Sequence, residues 1–152
     1  MDKIVLLPYT LERCQQFWKS YVADPDMMGG EFHYDPAWVD GYFHGKCQDS
    51  NRKYFAICLN ETVIGEIQLK SIDLQEKSAV LSIHLNCDRY KNRGFGTEAQ
   101  RQMIEYGFQQ LDLSKIYADC LHRNKRSRHV LEKLGFEFLR SDETFHYFVR
   151  TR

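Results

Sequence analysis

The sequence lacks the features that define several broad classes of protein. No apolar run in its 152 residues approaches the roughly 18 residues of a membrane span, so no membrane association is expected. Internal repeats and low-complexity tracts are absent, and no linker divides the chain. Because 43% of the residues are apolar and 14% are aromatic, one buried core can form. We therefore expect residues 1–152 to form a single domain.

Cysteine motifs for metal binding are missing as well. The five cysteines are widely spaced, without a Cys-x-x-Cys pair or a Cys/His cluster, so no bound metal is expected. The apolar stretch near the start is too short for a signal peptide. Unpaired thiols without a secretion signal predict a cytoplasmic protein. The cysteines are predicted to act mainly as small buried apolar residues, and they are Cys14, Cys47, Cys58, Cys87 and Cys120.

Net charge is also lacking, but the charges are unevenly divided along the chain. Residues 1–88 hold 8 basic and 13 acidic residues, and residues 89–152 hold 13 basic and 8 acidic residues. A basic half suits an anionic cofactor, whereas the acidic stretch 24–49 suits a cationic partner. Because the charge is divided in this way, uniform nucleic-acid binding is disfavoured and no nucleic-acid partner is expected.

The spacing of apolar residues predicts the element order β-α-α-β-β-β-α-β-α-β-β, a mixed α+β layout. Three strands of a meander are predicted at 54–59, 62–72 and 78–85. A helix at 97–110 and a strand at 116–120 follow. Since a helix that joins two strands of one sheet makes them parallel, the third meander strand and the strand after the helix should run in the same direction.

The segment Asp88–Ala99 is the most informative stretch of the chain. It is a basic loop with two glycines, placed between a strand-like and a helix-like run. The first N–H groups of a helix have no internal partner, and glycine lets the main chain approach a bulky anion. We therefore predict a phosphate-bearing cofactor at residues 91–97, with a plain tight turn as the alternative. A Walker loop is excluded because Thr97-Glu98 follows Gly96, and a dinucleotide fingerprint lacks its third glycine.

Two stretches resemble motifs of the GNAT superfamily of acetyl-CoA-dependent N-acetyltransferases. Residues 91–99, KNRGFGTEA, are similar to the family's pyrophosphate loop. Residues 124–136, NKRSRHVLEKLGF, are similar to its N-x-x-S…E-K-L-G-F segment. The two motifs are most similar to the branch that includes ribosomal-protein-alanine acetyltransferases. The resemblance implies a mostly antiparallel central sheet with helices on both faces and a V-shaped splay between strands 79–85 and 116–120.

The resemblance further implies acetyl-CoA as co-substrate, with no metal. Main-chain N–H groups of residues 93–97 would cradle its pyrophosphate, with added positive charge from basic side chains of the loop. Main-chain groups of residues 83–85, at a bulge in their strand, would face the pantetheine arm and the thioester. The implied cofactor-binding residues are Ile83, His84, Leu85, Lys91, Asn92, Arg93, Gly94, Phe95, Gly96, Thr97 and Asn124.

The implied chemistry is direct attack of a primary amine on the acetyl group in a ternary complex. Many family members carry a tyrosine acid where this chain has Leu131, so Ser127 is the candidate acid, with a solvent-delivered proton as the alternative. Glu66 and His84 are the candidate bases. The alternative for Glu66 is an exposed ion pair with Lys70, and the alternative for His84 is a hydrogen-bonded sheet histidine.

The acceptor site is expected in the first third of the chain, which is acidic and rich in aromatic residues. Carboxylates beside aromatic faces favour a cationic amine, with Glu31 and Tyr34 as candidate substrate-binding residues. The acceptor would be a small-molecule amine or a protein N-terminus. Two other functions remain open: a catalytically inactive GNAT-like CoA-binding protein, and a phosphate-binding regulatory module unrelated to CoA. A homodimer, with the fifth strand extending across its interface, is an open alternative to a monomer.

Overall fold

The computed structural model of the chain describes residues 2–22, 32–90 and 93–152. Within them, seven strands form one sheet in the order β1-β2-β3-β4-β5-β7-β6. The strands are β1 (Ile4–Pro8), β2 (Lys53–Leu59), β3 (Thr62–Asp73), β4 (Ser78–Leu85), β5 (Lys115–Leu121), β6 (Glu137–Ser141) and β7 (Phe145–Thr151). Neighbouring strands are antiparallel except β4 and β5, which are parallel. The predicted α+β class and the predicted parallel pair are confirmed.

Four α-helices complete the predicted element order within the described ranges. They are α1 (Leu11–Lys19), α2 (Pro36–Tyr42), α3 (Phe95–Gln109) and α4 (Lys125–Lys133), with a π-helical turn at Phe43–Cys47 after α2. Side chains cap three of them, because Thr10, Asp35 and Asn124 accept hydrogen bonds from main-chain N–H groups of the first turns. Helix α3 begins slightly before the predicted position, and its N-cap residue provides no side-chain hydrogen bond.

The helices cover both faces of the sheet, as the resemblance implied. Along β2, Ala56 and Cys58 pack into a core formed with α1 and α2, whereas Ile57 packs into a second core formed with α3 and α4. This alternation follows from the two-residue period of a strand, which points successive side chains to opposite faces. The two cores anchor β3 and β4, the strands that carry the candidate bases Glu66 and His84.

Strands β4 and β5 diverge along their length, which confirms the predicted splay. They pair only at Ser78–Lys115, Ala79–Ile116 and Val80–Tyr117, near their first residues. Beyond Val80, β4 pairs with β3 alone among the described strands. The expected bulge at residues 83–85 is wrong, because the register with β3 is continuous from Leu81 to Leu85. The gap therefore opens because β5 turns away from β4, without an extra residue in β4.

Gly65 brings β3 and β4 together directly beside Glu66. A Cβ at this position would lie 2.9 Å from the main-chain oxygen of His84, closer than packed atoms allow. We expect Gly65→Ala to lower the free energy of unfolding by about 2 kcal/mol, measured by chemical denaturation. The matched control is Gly41→Ala in α2, where a Cβ meets no atom within 4 Å. This control should raise stability by about 0.5 kcal/mol, and a stable Gly65→Ala variant would contradict the close approach.

Candidate active site

A cavity of about 210 Å³ lies in the gap between the diverging strands. Helix α4 lies along its side. Leu81 and Cys120 line the cavity and belong to the core under α3 and α4. Lys70, Ser82 and Asp119 also line it, and they alternate with residues of that core along their strands, so they point to the opposite face. The cavity therefore reaches both faces of the sheet, as a site that joins two substrates from opposite sides requires.

The first turn of α3 presents main-chain N–H groups beside this gap. Its N-cap is Gly94, which adopts a left-handed conformation with φ of 83° and ψ of −3° and provides no side-chain cap. The first intrahelical hydrogen bond is donated by the Glu98 N–H to the Gly94 oxygen, at 3.0 Å. The N–H groups of Phe95, Gly96 and Thr97 precede it, so they have no acceptor within the helix. Together with the helix dipole, they suit an anionic ligand.

The missing side chain of Gly96 leaves an open space next to β4, and the packing of the protein does not require this space to stay empty. A Cβ at Gly96 would lie 3.7 Å from Cδ1 of Ile83 and 3.8 Å from Cδ1 of Leu85, which is ordinary van der Waals contact. The fold would therefore accept a small side chain there. The helix terminus, its glycines and the adjoining β4 fit a diphosphate that approaches the main chain closely.

The basic residues of this loop are described only in part. Lys91 and Asn92, both predicted to bind the cofactor, lie outside the described residues. The Arg93 side chain is half exposed and lies 3.7 Å from the Asp2 carboxylate. Its guanidinium also lies 4.8 Å from the Phe95 ring centroid, which is a cation–π contact. Because an exposed ion pair contributes little, Arg93 can exchange Asp2 for a phosphate at small cost.

Helix α4 and its N-cap place Asn124, Ser127 and Leu131 along the cavity. The Oδ1 atom of Asn124 accepts a hydrogen bond from the Ser127 N–H at 3.0 Å, so the predicted cap role of Asn124 is confirmed. This contact leaves the Asn124 amide NH₂ as the group that can donate to a ligand. Leu131, at the position where family members carry the tyrosine acid, is buried and has no hydroxyl. Ser127, one turn earlier, brings the only hydroxyl among these three side chains.

Glu66 is buried between two tyrosine hydroxyl groups. Its side chain is on β3, and its Oε2 and Oε1 accept hydrogen bonds from Tyr9 and Tyr42, each at 2.7 Å. The alternative of an exposed ion pair with Lys70 is wrong, because Glu66 is only 6% exposed. Burial, and then the negative charge of Glu66, raise the pKa of Tyr9 and of Tyr42 far above its usual value. Both tyrosines therefore remain hydrogen-bond donors over the whole pH range of a working enzyme.

His84 lies directly across from Glu66 on the neighbouring strand. Its Nδ1 is 3.8 Å from Oε1 of Glu66, and its side chain is 35% exposed. The imidazole ring contacts the rings of Phe17, Trp18 and Tyr21, with centroids 5.0–5.7 Å apart. The two predicted bases are thus brought together. Glu66 is the buried member of the pair, and His84 is the member that solvent can reach.

Of the two residues predicted to bind the acceptor, Tyr34 is described by the structure and Glu31 is not. Tyr34 is half-buried, and the Lys19 ammonium group lies 5.9 Å from its ring centroid. Nearby, Trp18 is buried, whereas Trp38 is 46% exposed and stacks on Tyr42 at 5.3 Å. An exposed aromatic surface therefore adjoins Tyr42, which hydrogen-bonds to Glu66.

Three polar residues of the site are not predicted by the sequence patterns. Tyr9 directly follows the first predicted strand and belongs to no motif. Gln100 is buried, lines the cavity and donates from Nε2 to the Gly96 oxygen at 3.2 Å. Asp119 lines the cavity from β5. A signal existed for Gln100, since it lies four residues after Gly96 and must share its face of the helix.

Neither a metal site nor a membrane-spanning helix is found in the described part of the chain. No group of three or more His, Cys, Asp or Glu side chains in ranges 2–22, 32–90 and 93–152 could hold a metal ion. In the same ranges, no helix has both the length and the apolar character needed to cross a membrane.

Residues 3–137 match the model of the acetyltransferase (GNAT) domain, so the chain belongs to the GNAT acetyltransferase family. Members of this family use acetyl-CoA as co-substrate. The ribosomal-protein branch within the family stays a prediction.

The two sequence relatives described next match smaller parts of the chain than the family model does. The chain is 39% identical over 46 residues to the uncharacterized N-acetyltransferase YnaD of Bacillus subtilis, covering 30% of this chain and 27% of that protein. It is 30% identical over 87 residues to the spermidine N(1)-acetyltransferase of Escherichia coli, covering 57% and 46%. The chain thus spans less than half the length of these two relatives. A SpeG chimera of Vibrio cholerae and hSSAT, a spermidine N-acetyltransferase, shares the fold with a TM-score of 0.82, at 16% identity and 97% and 95% coverage.

Proposed function

We propose that this chain transfers an acetyl group from acetyl-CoA to a primary amine by direct attack in a ternary complex. One observation carries the proposal: the first turn of α3, whose first N–H groups have no acceptor within the helix, lies beside two strands that diverge around a cavity lined from both faces of the sheet. Membership of the GNAT family supports the same chemistry. When bound, acetyl-CoA supplies the thioester whose acetyl group is transferred.

The cofactor would be held mainly by main-chain groups. The N–H groups of residues 93–97 would bind its diphosphate, with charge from Arg93 and, outside the described residues, from Lys91. Because β4 has no described partner strand on its β5 side beyond Val80, main-chain groups of residues 83–85 can donate to the pantetheine arm and the acetyl oxygen. Asn124 would add its amide NH₂ from the other side of the cavity.

The base would be the pair formed by His84 and Glu66. An amine attacks only when it is neutral, so a group near the cavity must accept its proton. His84 is the exposed member, and its Nε2 can accept that proton because Nδ1 is the nitrogen nearer to Glu66. The buried carboxylate of Glu66 then stabilises the imidazolium charge at a distance of 3.8 Å.

The acid would be Ser127, since Leu131 has no hydroxyl. Ser127 lines the cavity, and the hydrogen bond from its N–H to Asn124 holds its main chain at the start of α4. A thiolate with an intrinsic pKa of about 8.5 is already a good leaving group, so a hydrogen bond donated by the Ser127 hydroxyl is enough to assist its departure, and solvent replaces any proton that Ser127 gives up.

We expect Ser127→Ala to lower kcat about tenfold while the KM for acetyl-CoA stays within about twofold of the parent value. Ser127→Thr, which keeps a hydroxyl, is the matched variant and should retain most of the rate. Steady-state kinetics with detection of the released thiol measures both constants. Equal kcat values for the parent and the alanine variant would assign the proton donor to solvent.

The acceptor proposed first is a polyamine such as spermidine. One relative with 30% identity is a spermidine N(1)-acetyltransferase. The negative charge of Glu66 and the exposed ring of Trp38 are consistent with a cationic amine. Tyr34 and Glu31 stay proposed as acceptor contacts. A protein N-terminus is the second candidate, because the sequence motifs are also similar to ribosomal-protein acetyltransferases.

An amine panel tests the proposal. Spermidine, an aminoglycoside and a peptide with a free N-terminus are each added to the chain with acetyl-CoA, and thiol release is followed. Release that depends on an added amine supports the enzyme. No release with any amine, together with CoA binding in calorimetry, would support an inactive CoA-binding protein. Binding of ATP without binding of CoA would support a phosphate-binding module instead.

A further inference from the structure

Glu66 is held by tyrosines from two elements that are distant in the chain. Tyr9 directly follows β1, and Tyr42 is the last residue of α2. Their hydroxyl groups donate to different oxygens of the carboxylate, Tyr9 to Oε2 and Tyr42 to Oε1. Because each oxygen has its own donor, rotation of the carboxylate would break both hydrogen bonds at once. Glu66 thus has one preferred orientation.

Ring packing fixes the two phenol groups in turn. The Tyr9 ring stacks on Tyr54 at 5.5 Å, with an interplanar angle of 14°. The Tyr42 ring stacks on Trp38 at 5.3 Å, with an angle of 19°. The hydroxyl of Tyr42 lies 3.4 Å from that of Tyr54, which is too long for a strong hydrogen bond, so the stacked rings are the main restraint. Both hydroxyl groups are therefore held by packed rings, more rigidly than hydroxyls on a flexible loop.

The fixed orientation of the Glu66 carboxylate determines which of its oxygens faces His84. The oxygen that accepts from Tyr42, Oε1, is also the one nearest to His84 Nδ1, at 3.8 Å. A carboxylate without these donors could turn toward other polar groups or toward the acceptor's ammonium group. While Oε1 stays directed at the imidazole, the negative charge of Glu66 acts on Nδ1, the ring nitrogen that faces the carboxylate.

We infer that Tyr9 and Tyr42, here the tyrosine pair, are positioning residues that hold Glu66 Oε1 toward His84. This inference rests on the proposed function of Glu66 and His84 as the base. Neither member of the tyrosine pair lines the cavity, and both donate to Glu66, so the pair is inferred to act through Glu66. Its effect should therefore disappear when Glu66 can no longer act.

A set of Tyr→Phe variants tests the tyrosine pair by kinetics. We expect Tyr9→Phe and Tyr42→Phe each to lower kcat about fivefold, and the double variant about 30-fold, with the KM for acetyl-CoA within about twofold. In a Glu66→Gln background, the double substitution should cause no further loss. Tyr54→Phe is the matched control, because its hydroxyl contacts Tyr42 rather than Glu66, and it should lower kcat less than about twofold. If the Tyr→Phe substitutions lowered kcat by the same factor in the Glu66→Gln background as in the parent protein, the inference would be overturned.

A spectroscopic measurement tests the same point without turnover. In ¹⁵N-labelled protein, the imidazole resonances of His84 are assigned by their loss in His84→Gln. The double variant Tyr9→Phe, Tyr42→Phe should shift these resonances in the same direction as Glu66→Gln does. The control Tyr54→Phe should leave them in place. Unshifted His84 resonances in the double variant would overturn the inference. An inactive parent protein with shifted resonances would instead refute the proposed function and leave the positioning role supported.

Discussion

Glu66→Gln is expected to lower kcat for acetyl transfer about 100-fold, while the KM for acetyl-CoA changes less than about twofold. The amide has nearly the shape of the carboxylate, so the packing around Tyr9 and Tyr42 should persist. What is lost is the negative charge 3.8 Å from His84 Nδ1, together with one of the two acceptors for the tyrosine hydroxyl groups, because an amide nitrogen cannot accept. Without the charge, the imidazolium that forms when the amine loses its proton is no longer stabilised.

The measurement is steady-state kinetics at fixed pH, with spermidine as the first acceptor and thermal unfolding as a check on folding. Glu76→Gln is the matched control, because Glu76 lies in the exposed turn between β3 and β4. It should leave both kinetic constants unchanged. A Glu66→Gln variant with parental kcat would show that the buried carboxylate has only a structural role. A raised KM for the amine with parental kcat would instead make Glu66 a binding residue.

Gly96→Leu is expected to raise the KM for acetyl-CoA by about 30-fold or more, because the side chain would occupy the space through which a diphosphate reaches the N–H groups of α3. The main chain accepts a Cβ at this position without a clash, so the loss of stability should be small compared with the loss of affinity. A Cβ at this position meets only Ile83 and Leu85 side-chain atoms, at 3.7 and 3.8 Å. The loss should therefore appear in cofactor binding more than in stability.

Calorimetry with CoA, with Tm measured alongside, separates these two effects. Gly41→Leu is the matched control, because Gly41 is an exposed helical glycine where an added Cβ would meet no atom within 4 Å. It should leave CoA affinity unchanged. Parental affinity in Gly96→Leu would place the diphosphate elsewhere, whatever the effect on stability.

Most of the fold could be predicted from local sequence patterns. Apolar periodicity predicted the element order, and the structure caps two of the helices with Asp35 and Asn124, residue types that are typical of helix starts. The parallel pairing of β4 and β5 followed from the helix that joins them. These features depend on residues near one another in the chain, so the sequence displays them directly.

The environment of Glu66 could not be predicted in the same way. Its two hydroxyl donors are 57 and 24 positions away along the chain, and only the tertiary fold brings them together, by placing β1 next to β2 in the sheet and α2 in the core on the same face. Viewed alone, a glutamate four residues before Lys70 on a strand suggests an exposed ion pair. The expected bulge in β4 was wrong for a related reason, since the opening of the gap depends on how β5 diverges and not on a local signal in β4.

The central claim is that main-chain N–H groups at the start of α3 bind the diphosphate of acetyl-CoA and direct its thioester into the gap between β4 and β5. A crystal structure of the chain with acetyl-CoA tests it most directly. The account predicts diphosphate oxygens about 3 Å from the main-chain nitrogens of Gly94 and Gly96, with the acetyl group in the gap beside residues 83–85 of β4. Acetyl-CoA bound elsewhere, or those nitrogens hydrogen-bonded to protein atoms instead, would contradict it.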